Sequence, residues 1–312
     1  MPATENATAV QPVRPQPAVI KTFHLRILSA DGCWIGGRSS DIGPAQGSIT
    51  RIASSTIAGA LAALWPRVTG ESAGRFYEGG FAATTSLFPM RGERLWPSPG
   101  GRGGAWVAAR SIWNWARKGW PAEYLEGETA DHENSPREGW IGLAADLPDR
   151  LEKIEQVLHV LAEEGLGARR SQGYGQIEIV KELTWPPQGW AAGAGESWTS
   201  GEIGATSDFR RLLLLSQVHI TPGDLAGGWR EEGAAAAAIA PRRHDRRAVA
   251  GVHVYSEGSV VTVPPPSSGT WPNSGVVLVG DNPELAPAVA GHGPIRFFGR
   301  GIGMILPPAG GP

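Results

Sequence analysis

Residues 149–180 predict an amphipathic helix, a glycine-rich loop and a short strand in direct succession. After Asp149, which we predict as the N-cap, apolar residues recur at helical spacing, and Gly165 is placed to end the helix. Residues 176–180 then alternate polar and apolar side chains, the pattern of a strand with one buried face. The chain must therefore bury a helix and a strand that a loop joins.

The joining loop, residues 165–175, reads GLGARRSQGYG. Its glycines permit positive φ and close approach of a ligand to the backbone, and its arginines offer charged donors that suit phosphate. This composition suits a polyanion, although an ordinary helix C-cap followed by a connector predicts the same glycines. It is not a nucleotide P-loop, because GxxxxGK[ST] is absent and the loop runs from helix to strand. The candidate RNA-binding residues are Gly167, Arg169, Arg170, Ser171, Gly173, Tyr174 and Gly175.

Tyr174 has two open interpretations. Its ring either stacks on a splayed base or packs on the strand beneath the loop.

The rest of the first half supplies the other elements of one domain. Residues 22–30 alternate as a half-buried strand, and Ser54 or Ser55 is predicted to cap a helix that Pro66 ends. Residues 76–104 contain short strand-like pieces, and residues 105–118 predict a further helix. The order strand, helix, strands, helix, strand is that of a ferredoxin-like domain with insertions.

The predicted fold class is α+β, with two ferredoxin-like (RRM-like, βαββαβ) domains, the second smaller, degenerate and mostly β. We predict a disordered leader at 1–20, a first domain at 21–184, a Trp-, Pro- and Gly-rich linker at 185–207 and a second domain at 208–312. Residues 233–240 form a low-complexity alanine segment inside that second domain.

The charge distribution predicts separate surfaces. A net charge of −2 argues against a free-standing nucleic-acid binder of high affinity, because neutralising phosphates needs a basic domain. Residues 91–118 are nevertheless basic, as is the cluster 242–247, which includes Arg243 and Arg246, whereas residues 123–138 are acid-rich. Such patches predict RNA on one face and a protein neighbour on another, with ordinary solvated charge as the alternative.

Two counts bear on the compartment. The single cysteine, Cys33, excludes an internal disulfide framework and fits a reducing cytosol. The sequence contains no apolar run long enough to span a bilayer, so a cytoplasmic protein with no membrane partner is expected.

Catalytic motifs are absent from the sequence. The seven histidines are scattered singly, without HExxH, CxxC or GxSxG, so we predict no catalytic residue, no metal and no cofactor. His24, on the predicted polar face of the first strand, is the candidate general base if the protein cuts RNA, with no lysine or second histidine expected nearby. An RNA-processing enzyme therefore stays an alternative, as does a structural assembly protein that touches no RNA.

Several motifs together resemble the RAMP superfamily of CRISPR–Cas effector subunits. They are the SSxxxGAL helix start at 54–61, the GxxRSxGYG loop at 167–175, SLFP at 86–89, LWPSP at 95–99, EGSVV at 257–261 and PIRFFGRGIGMIL at 294–306. The last four of these motifs, in the order in which they occur along the chain, narrow the resemblance to the two-domain subunit of type III complexes. The Csm-type complex is the first candidate and the related Cmr-type complex the second. Two segments depart from the pattern of that subunit. The alanine segment has no counterpart in it, and residues 244–251, HDRRAVAG, look more like an element of a backbone subunit.

The resemblance implies a non-catalytic subunit that holds the 5′ repeat-derived handle of the crRNA. Its implied partners are the crRNA, the large polymerase-like subunit and the backbone subunits. A crRNA-processing endoribonuclease of the same superfamily is the alternative within the resemblance.

A second part of the RNA-holding surface is predicted from the fold. In a ferredoxin-like domain the connection after the first strand and the loop before the last strand can converge, and a helix N-terminus presents free N–H groups to phosphate. We therefore predict that Gly36, Gly37 and Arg38, together with Ser54, Ser55 and Thr56, lie beside the glycine-arginine loop.

Overall fold

The computed structural model describes residues 14–28, 52–77, 82–91, 94–95, 138–167, 170–185, 209–232, 236–239, 252–255, 257–272, 274–281, 284–285, 295–296 and 299–306. Within these ranges the helices are α1 (Ser54–Thr69), α2 (Ala73–Tyr77), α3 (Pro148–Glu164) and α4 (Pro222–Ala226). The strands of the first half are β1 (Gln16–Pro17), β2 (Val19–Ile27), β3 (Ala82–Thr84), β4 (Phe88–Arg91), β5 (Arg94–Leu95), β6 (Glu138–Ala145) and β7 (Ile177–Leu183). Those of the second half are β8 (Arg210–Leu214), β9 (Arg230–Glu232), β10 (Ala236–Ile239), β11 (Val252–Tyr255), β12 (Val260–Val263), β13 (Val276–Val279), β14 (Glu284–Leu285), β15 (Ile295–Arg296) and β16 (Gly301–Ile305).

The first half has the strand order of a ferredoxin-like domain. Its sheet runs β5-β4-β6-β2-β7, with β3 also paired to β6, and every pairing is antiparallel. Because α1 follows β2 and α3 follows β6, the chain order is strand, helix, strand, strand, helix, strand. The predicted α+β class is confirmed by these antiparallel sheets and their few helices.

The two long helices share one apolar core with this sheet. The side chains predicted for the inner face of α3, Leu151, Ile154, Val157, Leu158 and Leu161, are all buried. They meet the buried face of α1 and the residues Phe23, Leu25 and Ile27 of β2. Alternation in β2 and helical periodicity in α3 therefore each identified the face that the fold buries.

At its centre β2 is buried on both faces, which corrects in part the prediction of a half-buried strand. Thr22 and His24, on the face away from the core, are also buried. β2 lies inside the sheet between β6 and β7, and the aromatic ring of Trp140 stands opposite His24 in the register. Alternation alone would leave this face to solvent, but at Thr22 and His24 other parts of the fold cover it.

The ends of α1 differ from the predicted ones. The N-cap is Ala53, whose carbonyl accepts from the amides of Thr56 and Ile57, and no side chain caps the helix. The helix also continues past Pro66 to Thr69 and ends at Gly70, which has φ 73° and donates its amide to the Pro66 carbonyl. The adjacent Trp65 is buried, so packing stabilises a turn in which proline removes one hydrogen bond.

The N-cap of α3 lies two residues before the predicted one, Asp149. The cap is Leu147, Pro148 occupies the first turn, and Asp149 lies inside that turn, where its charge suits the helix dipole. Gly165 ends the helix as predicted, with φ 84°.

The second half is built on another antiparallel sheet, in the order β1-β13-β16-β8-β12-β9. Its strands β9-β12-β8-β16 repeat the order β4-β6-β2-β7 of the first half, with β13 and β1 added beyond β16. Within the described residues α4, between β8 and β9, is its one helix, which fits a degenerate, mostly β ferredoxin-like unit. Part of the alanine segment forms β10, which pairs with β11.

The start of the chain takes part in this second sheet. β1 pairs with β13, and β2 begins two residues later in the first sheet. Residues 14–20, predicted as part of the leader, therefore lie in the fold. The apolar side chains of Val19 and Ile20 pack against the core, and Pro17 is tolerated because β1 is an edge strand.

One core runs from the first sheet into the second. Leu213, Leu215, Val276, Leu278, Ile302 and Met304 of the second half belong to the same buried cluster as α1, α3 and β2. The opposite face of the second sheet holds a separate cluster around Leu212, Trp229, Val261 and Trp271. The two halves are thus joined by apolar packing as well as by chain.

The predicted linker begins with a residue that joins the halves. β7 ends at Leu183, and Trp185 packs against Trp140, with ring centroids 6.5 Å apart. The Trp185 indole also donates to the Ser274 carbonyl across 3.1 Å. Residues 186–208 lie outside the described residues, as does the helix predicted at 105–118. Among the helices that are described, none has the length and apolarity needed to cross a membrane.

Candidate nucleic-acid interface

The glycine-arginine loop is closed at its base by backbone contacts. The amide of Leu166 donates to the Gly175 carbonyl across 2.8 Å, and the side chain of Leu166 is buried beneath the loop. Gly175 has φ 77°, and a Cβ on it would lie 1.9 Å from the Leu166 carbonyl oxygen. Glycine at 175 is therefore required by close backbone approach, and the base of the loop is fixed.

The tip of the loop is exposed. Arg170, Ser171 and Gly173 lie at the surface, on a short 3-10 turn that the Gly173 amide closes by donating to the Arg170 carbonyl. Gly167 and Tyr174 are half-buried, and Gly175 is buried. Arg169 lies outside the described residues. A fixed base with an exposed tip presents Arg170 to solvent in a defined place.

Arg170 has a weak partner and stays accessible. Its Nη1 donates to Oε2 of Glu164 across 3.4 Å, while its side chain is 48% exposed. The same carboxylate contacts Nη1 of Arg67, near the end of α1, through Oε1. Two arginines thus share one carboxylate at the foot of the loop.

The chain that leads to Gly36, Gly37 and Arg38 departs beside this loop. The Leu28 amide, just after β2, donates to the carbonyl of Gln176 across 2.9 Å. The three candidate residues themselves lie outside the described residues, as do Arg243 and Arg246.

The start of α1 is used by the interior. Ser54 is fully buried, its hydroxyl accepts from the Gln217 amide across 2.8 Å, and its own amide donates to the Ser86 hydroxyl. The Ser55 hydroxyl donates to the Gln217 side-chain oxygen across 2.7 Å. Of the three predicted residues, the half-buried Ser55 and Thr56 keep some surface, whereas Ser54 offers none to a phosphate.

The structure does not bring Ser54–Thr56 together with the loop, which corrects the prediction of one continuous surface. Ser54 bonds to residues between β3 and β4, on one side of β6, whereas the loop leads into β7 at the opposite edge of the sheet. The part of α1 that comes near the loop is its far end, where Arg67 contacts Glu164, the last residue of α3 before the loop. Ser55 and Arg67 are about 18 Å apart along a helix that rises 1.5 Å per residue.

His24 lies in a partly buried hydrogen-bond network with Glu138 and Arg26. Its Nε2 is 3.0 Å from Oε2 of Glu138, whose Oε1 accepts from Arg26. Burial lowers the pKa of the His24 imidazole, and the charge and hydrogen bond of Glu138 oppose that shift. Contrary to expectation, a lysine is near, because Lys181 stands opposite His24 in the register of β7.

Sequence reasoning missed Arg67 and Glu164. Arg67 carries no motif, and Glu164 ends an otherwise ordinary polar helix face. They are 97 residues apart in sequence, so local patterns could not pair them. The one available signal was position, because both residues lie in the last turns of their helices, and α1 and α3 pack against each other.

No metal-binding cluster occurs in the part of the chain that the structure describes, when groups of three or more His, Cys, Asp or Glu side chains are considered.

Comparisons with known proteins give distant likenesses. No protein-family model and no curated protein sequence matches the chain. The chain is similar to a chain in the cryo-EM structure of the type III-B Cmr-beta bound to cognate target RNA, with 16% identity, a TM-score of 0.32, and coverage of 53% of this chain and 60% of that one. It is also similar to a Cas6 product complex, with 11% identity, a TM-score of 0.33, and coverage of 80% and 88%. Likenesses of this size assign neither a family nor an activity, so the residues of this chain carry the proposal below.

Proposed function

We propose that this protein is a non-catalytic RNA-binding subunit of a type III CRISPR effector complex and that its glycine-arginine loop, residues 165–175, holds the backbone of the crRNA 5′ handle. In this proposal the chain docks to the large polymerase-like subunit and to the backbone subunits. The observation that carries it is the loop itself, whose base is fixed at Leu166 and Gly175 and whose tip presents Arg170. Guanidinium groups on a fixed backbone suit phosphate.

The exposure of Arg170 favours this proposal over a purely structural role. A structural assembly protein would be favoured if the loop arginines were buried in salt bridges. Arg170 instead keeps 48% of its side chain exposed and has a 3.4 Å contact with Glu164. An exposed ion pair of this kind contributes about 0–1 kcal/mol, so a phosphate can compete for the guanidinium.

The environment of His24 supports the absence of catalysis. Its side chain is 7% exposed and its Nε2 contacts Glu138, so in this conformation that nitrogen already has a carboxylate partner. A general base must come within hydrogen-bond reach of the proton that it removes. The processing-enzyme alternative needs a base, and His24 is the candidate that the sequence offered for it.

The test is isolation of the complex from an expressed operon, with sequencing and quantification of the RNA that co-purifies. We expect short RNAs that begin with a repeat-derived tag, and less of them with Arg170→Ala. Arg150→Ala is the matched control, because Arg150 is also partly exposed and pairs with a carboxylate, Asp146, at the other end of α3. Equal RNA occupancy in both variants would contradict the proposal for this loop.

A further inference from the structure

The foot of the glycine-arginine loop holds two guanidinium groups on one carboxylate. Nη1 of Arg67 contacts Oε1 of Glu164, and Nη1 of Arg170 is 3.4 Å from Oε2. The arginine side chains are 64% and 48% exposed, and that of Glu164 is 27% exposed. The two donors therefore converge on one small acceptor at the protein surface.

A phosphate group can replace that acceptor. Carboxylate and phosphate oxygens accept from arginine in the same way, and a phosphate has more oxygens to share between two guanidinium groups. Donors that both reach the oxygens of Glu164 also both reach an anion placed beside it. The carboxylate thus marks where a bridging phosphate would lie.

The position of Glu164 makes its carboxylate easy to displace. It is the last residue of α3, where the helix dipole is negative and a second negative charge is unfavourable. The two arginines offset that cost, but exposed pairs are weak and are screened by salt. Glu163 is exposed beside it and adds to the local negative charge.

We propose that Arg67 is a second phosphate-contacting arginine of this interface and that Glu164 occupies the Arg67–Arg170 pair in the free protein until RNA displaces it. This inference rests on the proposed function of the loop. It adds a residue from α1 to a site that otherwise belongs to the α3–β7 connection. It also makes Glu164 a negative determinant, one that weakens binding of any phosphate that cannot span both arginines.

The experiment measures binding of the full-length protein to a fluorescein-labelled, unstructured 12-nucleotide RNA by anisotropy over a series of salt concentrations. Arg67→Ala should weaken binding and lower the magnitude of the slope of log K against log salt by about 0.7, as loss of one phosphate contact on a single strand does. Glu164→Gln should strengthen binding roughly two- to fivefold at low salt, the scale of a surface ion pair. Glu163→Gln changes the net charge equally and is the control for Glu164, and Arg150→Ala is the control for Arg67.

The outcomes separate the inference from the proposed function. If Arg170→Ala weakens binding but Arg67→Ala behaves like Arg150→Ala, the loop binds RNA and the role of Arg67 is wrong. If Glu164→Gln matches Glu163→Gln, the displacement of Glu164 is wrong. If Arg170→Ala itself leaves binding unchanged, the proposed function of the loop fails first.

Discussion

The Gln217 backbone amide donates to the hydroxyl of Ser54 across 2.8 Å, joining the start of α1 to the second half of the chain over 163 residues of sequence. Close by, the Ser86 amide donates to the Leu215 carbonyl, and the Ser216 hydroxyl donates to the Thr84 carbonyl across 2.7 Å. These buried hydrogen bonds form a polar seam inside an apolar interface. Buried polar groups of this kind specify one arrangement because each needs its partner.

Ser54→Ala should therefore destabilise the whole protein. Removing the hydroxyl leaves the Gln217 amide buried without its acceptor, at a cost of about 1–3 kcal/mol. Unfolding in urea, followed by tryptophan fluorescence, should show a lower midpoint in one transition. Ser268→Ala, at an exposed serine, is the control and should leave the midpoint unchanged. A loss confined to part of the signal would mean that the two halves unfold separately.

Sequence periodicity predicted the features of the fold that depend on neighbouring residues in the chain. Helical spacing in α3 and alternation in β2 located buried faces correctly, because those faces follow from the periodicity of the backbone. The predicted Ser54 cap was wrong because the Ser54 hydroxyl accepts from the amide of Gln217. Gln217 lies 163 residues away in sequence, so no local pattern could predict this contact. The contact between Arg67 and Glu164 could not be predicted either, because the two residues are 97 apart in sequence. The strand order of the second half likewise depends on long-range pairing, such as β1 with β13.

Two glycines of the loop give a matched pair of substitutions. Gly173 and Gly175 have φ 88° and 77°, so alanine at either is strained by roughly 1–2 kcal/mol. A Cβ on Gly173 meets nothing within 4 Å, whereas one on Gly175 would lie 1.9 Å from the Leu166 carbonyl oxygen. We expect Gly175→Ala to cost clearly more in urea unfolding than Gly173→Ala. Equal costs would show that the base of the loop rearranges easily.

Acid should destabilise the protein through two histidines. Burial lowers the pKa of His24 and of His219 below 6.5, with opposing effects from Glu138 on the first and from Asp281 and Asp224 on the second. When pH falls below 6.5, the unfolded chain binds protons that the folded one does not. Stability is therefore fully present above 6.5 and is lost as pH falls toward the folded pKa values, by at most about 1.4 kcal/mol per pH unit for each histidine.

The loss of stability can be measured by urea unfolding between about pH 5.5 and 7.5. This range extends about one unit to either side of an ordinary histidine pKa. His24→Gln and His219→Gln should each flatten the pH dependence. His159→Gln, on the exposed face of α3, should leave it as in the wild type. If all three variants keep the wild-type slope, other groups cause the acid sensitivity.

The purified chain should not cut RNA. Metal-free cleavage needs a base within reach of the ribose 2′-OH and groups that stabilise the charge of the phosphorane. His24 is buried against Glu138, and the guanidinium of Arg170 contacts Glu164 at the foot of the glycine-arginine loop. Incubation of a repeat-derived RNA with the protein in EDTA should leave it intact. If the protein makes a single cut and His24→Ala abolishes it, the processing-enzyme alternative replaces the binding role. His24 would then have to leave Glu138 to reach the substrate.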